Sequence, residues 1–252
     1  MATAPTIDAL GQFVLRPSIG SAGSYFAFTN SNVMMLLSAV LIVVAVALGA
    51  RGRALVPGRM QAAAEMMYEF TANLCIDMIG PGWKVFFPFV FTLFMFILFG
   101  NMVGLFPLFF AFTSHLVITA ALAIIVFVLS IIIGFAMHGF RFFTFFVPAG
   151  APKLIVPFLV PIEILTFLSR PVSLSIRLFA NIVAGHVLWE VFAGFMLIFA
   201  FYLGSIGIIA AVLPLAVNVA LVGFELLIAA LQAYVFAVLT CLYIHDSVHL
   251  HT

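Results

Sequence analysis

The run SRPVSLSIRLFANIVAGH, residues 169–186, sets Ser173, Arg177 and Asn181 four residues apart, and His186 and Glu190 repeat that interval further along. On a helix, positions four or seven apart share a face. Glu163, Arg170 and Arg177 are spaced by seven, with Pro171 disturbing the register, and a second row of Asn218, Glu225 and Gln232 is also spaced by seven. That second row covers roughly 21 Å of helix, much of a hydrocarbon layer. A guanidinium stays charged at any ordinary pH. A histidine beside a carboxylate can relay a proton. Charged side chains at mid-membrane cost at least about 2.5–3.5 kcal/mol and commonly mark ion or proton pathways. The plainer readings are a buried structural pair of Arg177 with Glu225, which leaves Asn181, His186 and Gln232 without a reason, and a satisfied structural pair of His186 with Glu190.

The elements that must hold these residues are helices in a membrane. Hydrophobic residues make up 66% of the 252 and charged residues 7%, and the mean hydropathy is +1.37. Soluble globular, disordered and disulfide-scaffold classes are excluded. Apolar runs of 18 or more residues exclude an outer-membrane barrel of short alternating strands. The fold class is an all-α polytopic membrane protein. A net charge of +1 offers no basic stripe for nucleic acid. Cys75 and Cys241 lack metal-ligand spacing and read as core fillers. No phosphate-binding loop, nucleophile–base pair or metal cluster stands out, so no cofactor, metal or catalytic residue is expected.

The chain reads as a single membrane domain over residues 1–252. Residues 1–31 lack the basic start of a cleaved signal and form an outer-side tail. Residues 32–50 are a first span, and Arg51, Arg53 and Arg59 beyond it mark the cytoplasmic side. Residues 58–80 carry Gln61, Glu65, Glu69, Asn73 and Asp77 at intervals of four, the pattern of an interfacial helix with a solvated face, leaving Met66, Phe70, Leu74 and Ile76 for the other side. Spans at 85–110 and 116–137 return Arg141 and Lys153 to the cytoplasmic side, with His115 and His138 as wetted span-end histidines. Residues 158–203 and 208–244 are two long helices separated by the GSIG break at 204–207, and 245–252 form a C-terminal tail. At roughly 55–70 Å each, these helices cannot stand straight and upright in a bilayer. Either Pro171 and Pro214 break them, or they lie strongly tilted as a hairpin that presents a long flank to a neighbour.

RPVSLSIRLFANIVAGH, with FELLIAALQAYVFAVLTCLYI at 224–244 and FGNMVGLFP at 99–107, resembles the a subunit of rotary proton-translocating ATP synthases over most of the chain. The resemblance implies a non-catalytic, proton-channel stator subunit whose tilted hairpin lies against the ring of c subunits. It implies peripheral-stalk b subunits, the other ATP synthase subunits and membrane lipid as further partners, and a bacterial inner membrane, with the mitochondrial inner membrane as the alternative. Arg177 matches the family's essential arginine, and Asn181 and Gln232 match polar positions near it. His186 and Glu225 match two half-channel positions that some bacterial members fill in the reverse order, Glu first and His second. Ser173 and Glu163 match further motif positions; Arg170 stands where many relatives have Lys and reads as an interfacial anchor.

Two other classes compete. A secondary transporter could bind an anionic solute at mid-membrane, but no internal repeat relates the halves. A scaffold whose polar rows only join helices predicts that a neutral residue of similar size at 177 preserves function.

Overall fold

A computed structural model describes residues 17–19, 28–51, 57–106, 109, 111–147, 154–202, 207 and 209–249. Arg53, Lys153 and most of the GSIG segment lie outside the described residues. Six α-helices dominate: α1 Asn30–Arg51, α2 Arg59–Ile79, α3 Trp83–Gly104, α4 Leu116–His138, α5 Val156–Tyr202 and α6 Val212–Val248. Five segments, all but α2, are long and apolar enough to cross a membrane, the fourth helix counted with the 3-10 stretch Gly139–Phe146 that continues it. The remaining regular structure among the described residues is a 3-10 turn at Phe112–Ser114 and a small antiparallel pairing of β1 Pro17–Ile19 with β2 Phe28–Thr29. The protein is a polytopic all-α membrane protein.

Small residues set the close approaches. A Cβ at Gly49 of α1 would collide with the Ala64 methyl of α2. Gly80 and Gly82, at φ 77° and 91°, form the corner that turns α2 into α3, a conformation closed to most L side chains. α2 departs from the face expected of it. Leu74 is buried beside Thr71, Ala72, Cys75 and Ile79, whereas Met66, Phe70 and Ile76 are exposed. The polar row Glu65, Glu69, Asn73 and Asp77 is exposed throughout.

Neither long helix breaks at its proline. α5 runs unbroken for 47 residues with Pro161 and Pro171 inside it. Pro214 sits in the first turn of α6, where a missing N–H leaves no intrahelical bond unmade. The helices keep lengths of about 70 and 55 Å against about 30 Å of hydrocarbon.

The core is a contiguous cluster in which Val90 and Ile97 of α3 meet Leu174, Leu178 and Ile182 of α5 and Phe236, Cys241 and Ile244 of α6. Ala229, Ala233 and Ala237 recur every four residues on the buried face of α6, so the neighbouring backbones can come close without a cavity. Asn101 of α3 donates its Nδ2–H to the Ala229 carbonyl oxygen at 3.3 Å. The two cysteines fill this core together, with Cys75 Sγ 3.9 Å from Cys241 Sγ.

Candidate functional site

Four polar contacts join α5 to α6, and their order fixes the geometry. Arg170 Nη1 lies 2.7 Å from Asp246 Oδ2, and Asn181 Nδ2 donates to Gln232 Oε1 at 3.0 Å. His186 Nε2 lies 3.6 Å from Glu225 Oε1. The Asn218 amide, turned to satisfy both groups, donates to the Trp189 carbonyl oxygen and accepts from the Trp189 indole N–H, both at 3.3 Å. Residue numbers rise along α5 as they fall along α6, so the helices form an antiparallel pair with a polar seam.

The seam is sheltered where it is titratable. His186 is 8% exposed, Glu225 6% and Gln232 1%, all inside otherwise apolar helices. Gly185 makes room for the carboxylate: a Cβ there would stand 2.8 Å from Glu225 Oε1. The 3.6 Å separation is just beyond a hydrogen bond, so a shift of a few tenths of an ångström brings the two groups within reach of proton transfer.

Arg177 behaves differently. It lies on the exposed flank of α5, between the exposed Val172 and Ile176 and the half-buried Phe179. Among the described residues no carboxylate comes within ion-pair distance of it, and the ion pairs found are Arg170–Asp246, His186–Glu225 and His245–Asp246. The structural pairing of Arg177 with Glu225 is therefore not formed; Glu225 turns to His186 instead. About 14 Å of helix separates Arg177 from His186.

The remaining sequence candidates scatter. Ser173 is exposed and donates its hydroxyl to the Arg170 carbonyl oxygen at 3.0 Å, a bond within its own helix. Glu163 lies half-buried two turns before Arg170, and Glu190 half-buried one turn beyond His186. Three features escaped the sequence reading: Asp246 as the partner of Arg170, the Trp189–Asn218 contact and the space at Gly185. Arg170 is more than an anchor, because its guanidinium carbon also lies 5.3–5.8 Å from the ring centroids of Phe145, Phe167 and Tyr243. A signal for the first was present in Asp246 itself, the last acidic residue of the chain, placed near the end of an apolar helix.

The fold and seam define a class: a multi-pass membrane protein with a buried titratable pair and a fixed cation on an outer flank. The family model for the ATP synthase A chain matches residues 32–245. The chain is 59% identical over 251 residues to ATP synthase subunit a of Acidiphilium cryptum, covering all of both chains. It is 57% identical to the subunit a of Granulibacter bethesdensis, again over all of both chains. Against that of Rhodospirillum rubrum it is 47% identical, covering 95% of this chain and 98% of the relative. The chain belongs to the ATP synthase A chain family.

Proposed function

We propose that the chain is the proton-channel stator subunit of a rotary ATP synthase, in a bacterial inner membrane, and that the α5–α6 seam carries its proton path. It is a non-catalytic subunit that works with the other subunits of the complex. The secondary-transporter alternative finds no support in the family match.

The observation that carries the mechanism is the contrast between Arg177 and Glu225. A fixed cation on an apolar flank is costly unless an anion faces it, and the chain's own buried carboxylate faces His186. The counter-charge for Arg177 then comes from outside, from carboxylates on a ring of c subunits. Helices too long to stand upright lie tilted and present an extended flank to that ring.

With the arginine-bearing end of α1 on the cytoplasmic side, α5 runs outward and α6 returns. From the outer side inward the seam reads Trp189–Asn218, His186–Glu225, Asn181–Gln232, then Arg177, then Arg170–Asp246. A proton from the outer side passes Asn218 and Glu190, reaches the Glu225–His186 pair and is handed to a ring carboxylate. Protonation is what allows that carboxylate to face lipid. After rotation it is deprotonated into a cytoplasmic half-channel near Glu163 and Ser173. Arg177 stabilises the ionised carboxylate between the two half-channels, and its unremovable charge repels a proton that would cross directly. Asn181 and Gln232 hold each other beside it and keep the two helices in register. A membrane potential supplies about 2.3 kcal/mol per charge per 100 mV for this work. Peripheral-stalk b subunits hold the chain against rotation.

The test is Glu225→Gln, which preserves size and removes the titration. ATP-driven proton pumping in vesicles is expected to fall about a hundredfold with the complex still assembled, the scale of losing a positioned acid–base group. Pumping at the wild-type rate would remove Glu225 from the path.

A further inference from the structure

Away from the seam, α1, α2 and α3 enclose an open cleft of about 650 Å³ lined by Ala45, Ala50, Met60, Ala63, Met95 and Phe99, among others. Its walls are almost wholly apolar. The methionines there are unbranched side chains that adapt to a flexible occupant. The flank of α1 beside it carries exposed Val40, Val43 and Leu48, so the cleft opens beside an apolar surface on a helix long enough to span a membrane.

Its cytoplasmic end is marked by charge. α1 finishes at Arg51, directly after the lining residue Ala50, and α2 begins at Arg59, directly before the lining residue Met60. Both arginines are exposed, and among the described residues neither has a carboxylate within ion-pair distance. Glu65, a carboxylate in the lining, lies more than one turn past Arg59 and accepts the Gln61 amide N–H at 2.8 Å. A largely apolar trough with two exposed arginines next in sequence to its lining, at the ends of α1 and α2, matches one occupant in both parts: an acyl chain below and a phosphodiester above.

We propose that this cleft is a binding site for an anionic glycerophospholipid, with one acyl chain between α1, α2 and α3 and the headgroup phosphate held by Arg51 and Arg59. The site lies on helices that do not form the α5–α6 seam, so it stands or falls apart from the proton path. Its consequence is positional: a lipid there fills the space between the first span and the interfacial helix and fixes the angle at which they meet.

The test uses the whole purified synthase, stripped of loose lipid and titrated with palmitoyl-oleoyl phosphatidylglycerol or with phosphatidylcholine bearing the same chains, with bound lipid counted by native mass spectrometry. Wild type is expected to retain phosphatidylglycerol preferentially. Arg51→Gln with Arg59→Gln is expected to weaken it roughly thirtyfold, the affinity equivalent of two arginines at an anionic surface. Ala63→Trp, which fills the trough and leaves both arginines in place, is expected to reduce retention of both lipids, and it serves where the double variant fails to assemble. ATP-driven pumping at saturating phosphatidylglycerol is expected to be unchanged in the assembled variants. Equal retention of the two lipids by wild type, or unaltered retention in the variants, would overturn the proposal. So would cross-linking of Ala63→Cys to a helix of another subunit in place of lipid.

Discussion

Gly185→Ala is a one-methyl test of the seam. The added Cβ would lie 2.8 Å from Glu225 Oε1, 3.0 Å from its Cδ and 3.2 Å from its Cγ, where ordinary contact begins at 3.4 Å. The carboxylate therefore has to retreat by about 0.6 Å, away from the helix that also carries His186. If that retreat falls along the line between the two groups, their separation grows from 3.6 Å to about 4.2 Å. Folding is little affected, because overpacking costs of about 1–3 kcal/mol are set against about 1 kcal/mol gained when Gly becomes Ala inside a helix. Transfer geometry is less forgiving, since a 1 Å misplacement can cost about a hundredfold in rate. The expected result is a complex that assembles normally and pumps protons about tenfold more slowly. Glu225→Asp in the same background relieves the clash but draws the carboxylate a further methylene away from His186, so it should restore packing and leave pumping slow. Wild-type pumping by Gly185→Ala would refute the claim that this contact sets the path.

Two further predictions concern parts outside that contact. Arg170→Gln removes a pair whose side chains are only 21% and 16% exposed, so the subunit should lose about 1–3 kcal/mol, the scale of a charged hydrogen bond, measured as thermal unfolding of the complex in detergent; an unchanged melting temperature would contradict the Arg170–Asp246 clamp. His115, at the start of α4, has its pKa lowered from 6.5 by burial. The folded state thus favours the neutral imidazole, and the stability this contributes is present above the ordinary value and lost as pH falls below it. An NMR titration of labelled histidine should place His115 below the ordinary midpoint, and His115→Gln should flatten the acid side of the stability curve.

The membrane class and helical character were legible because they depend on long apolar runs, which composition and length alone reveal. The pairing of the two polar rows was legible in outline: Asn181 meets Gln232 and His186 meets Glu225, from residues that periodicity had picked out. What periodicity could not supply is which members of two rows meet, because it fixes a face of each helix but neither their relative shift nor their crossing. Arg177 and Glu225 are both conspicuous in sequence, and their pairing was one reading left open beside an ion path; with Leu174, Leu178 and Ile182 packed into the core, Arg177 falls on an exposed flank of α5. Asp246 continues the seven-residue row of Asn218, Glu225 and Gln232 two intervals on, but the apolar Leu239 interrupts that row and hides its last member. The face of α2 was misjudged because its own sequence does not reveal that α3 and α6 both press on the side holding Cys75 and Ile79.

The most direct measurement is ATP-driven proton pumping in vesicles carrying Arg177→Ala, with assembly of the complex checked in parallel. With Arg177 as the fixed charge facing the rotating carboxylates, an assembled complex is expected to lose pumping. Pumping near the wild-type rate from that assembled complex would contradict the account and leave Arg177 a structural residue.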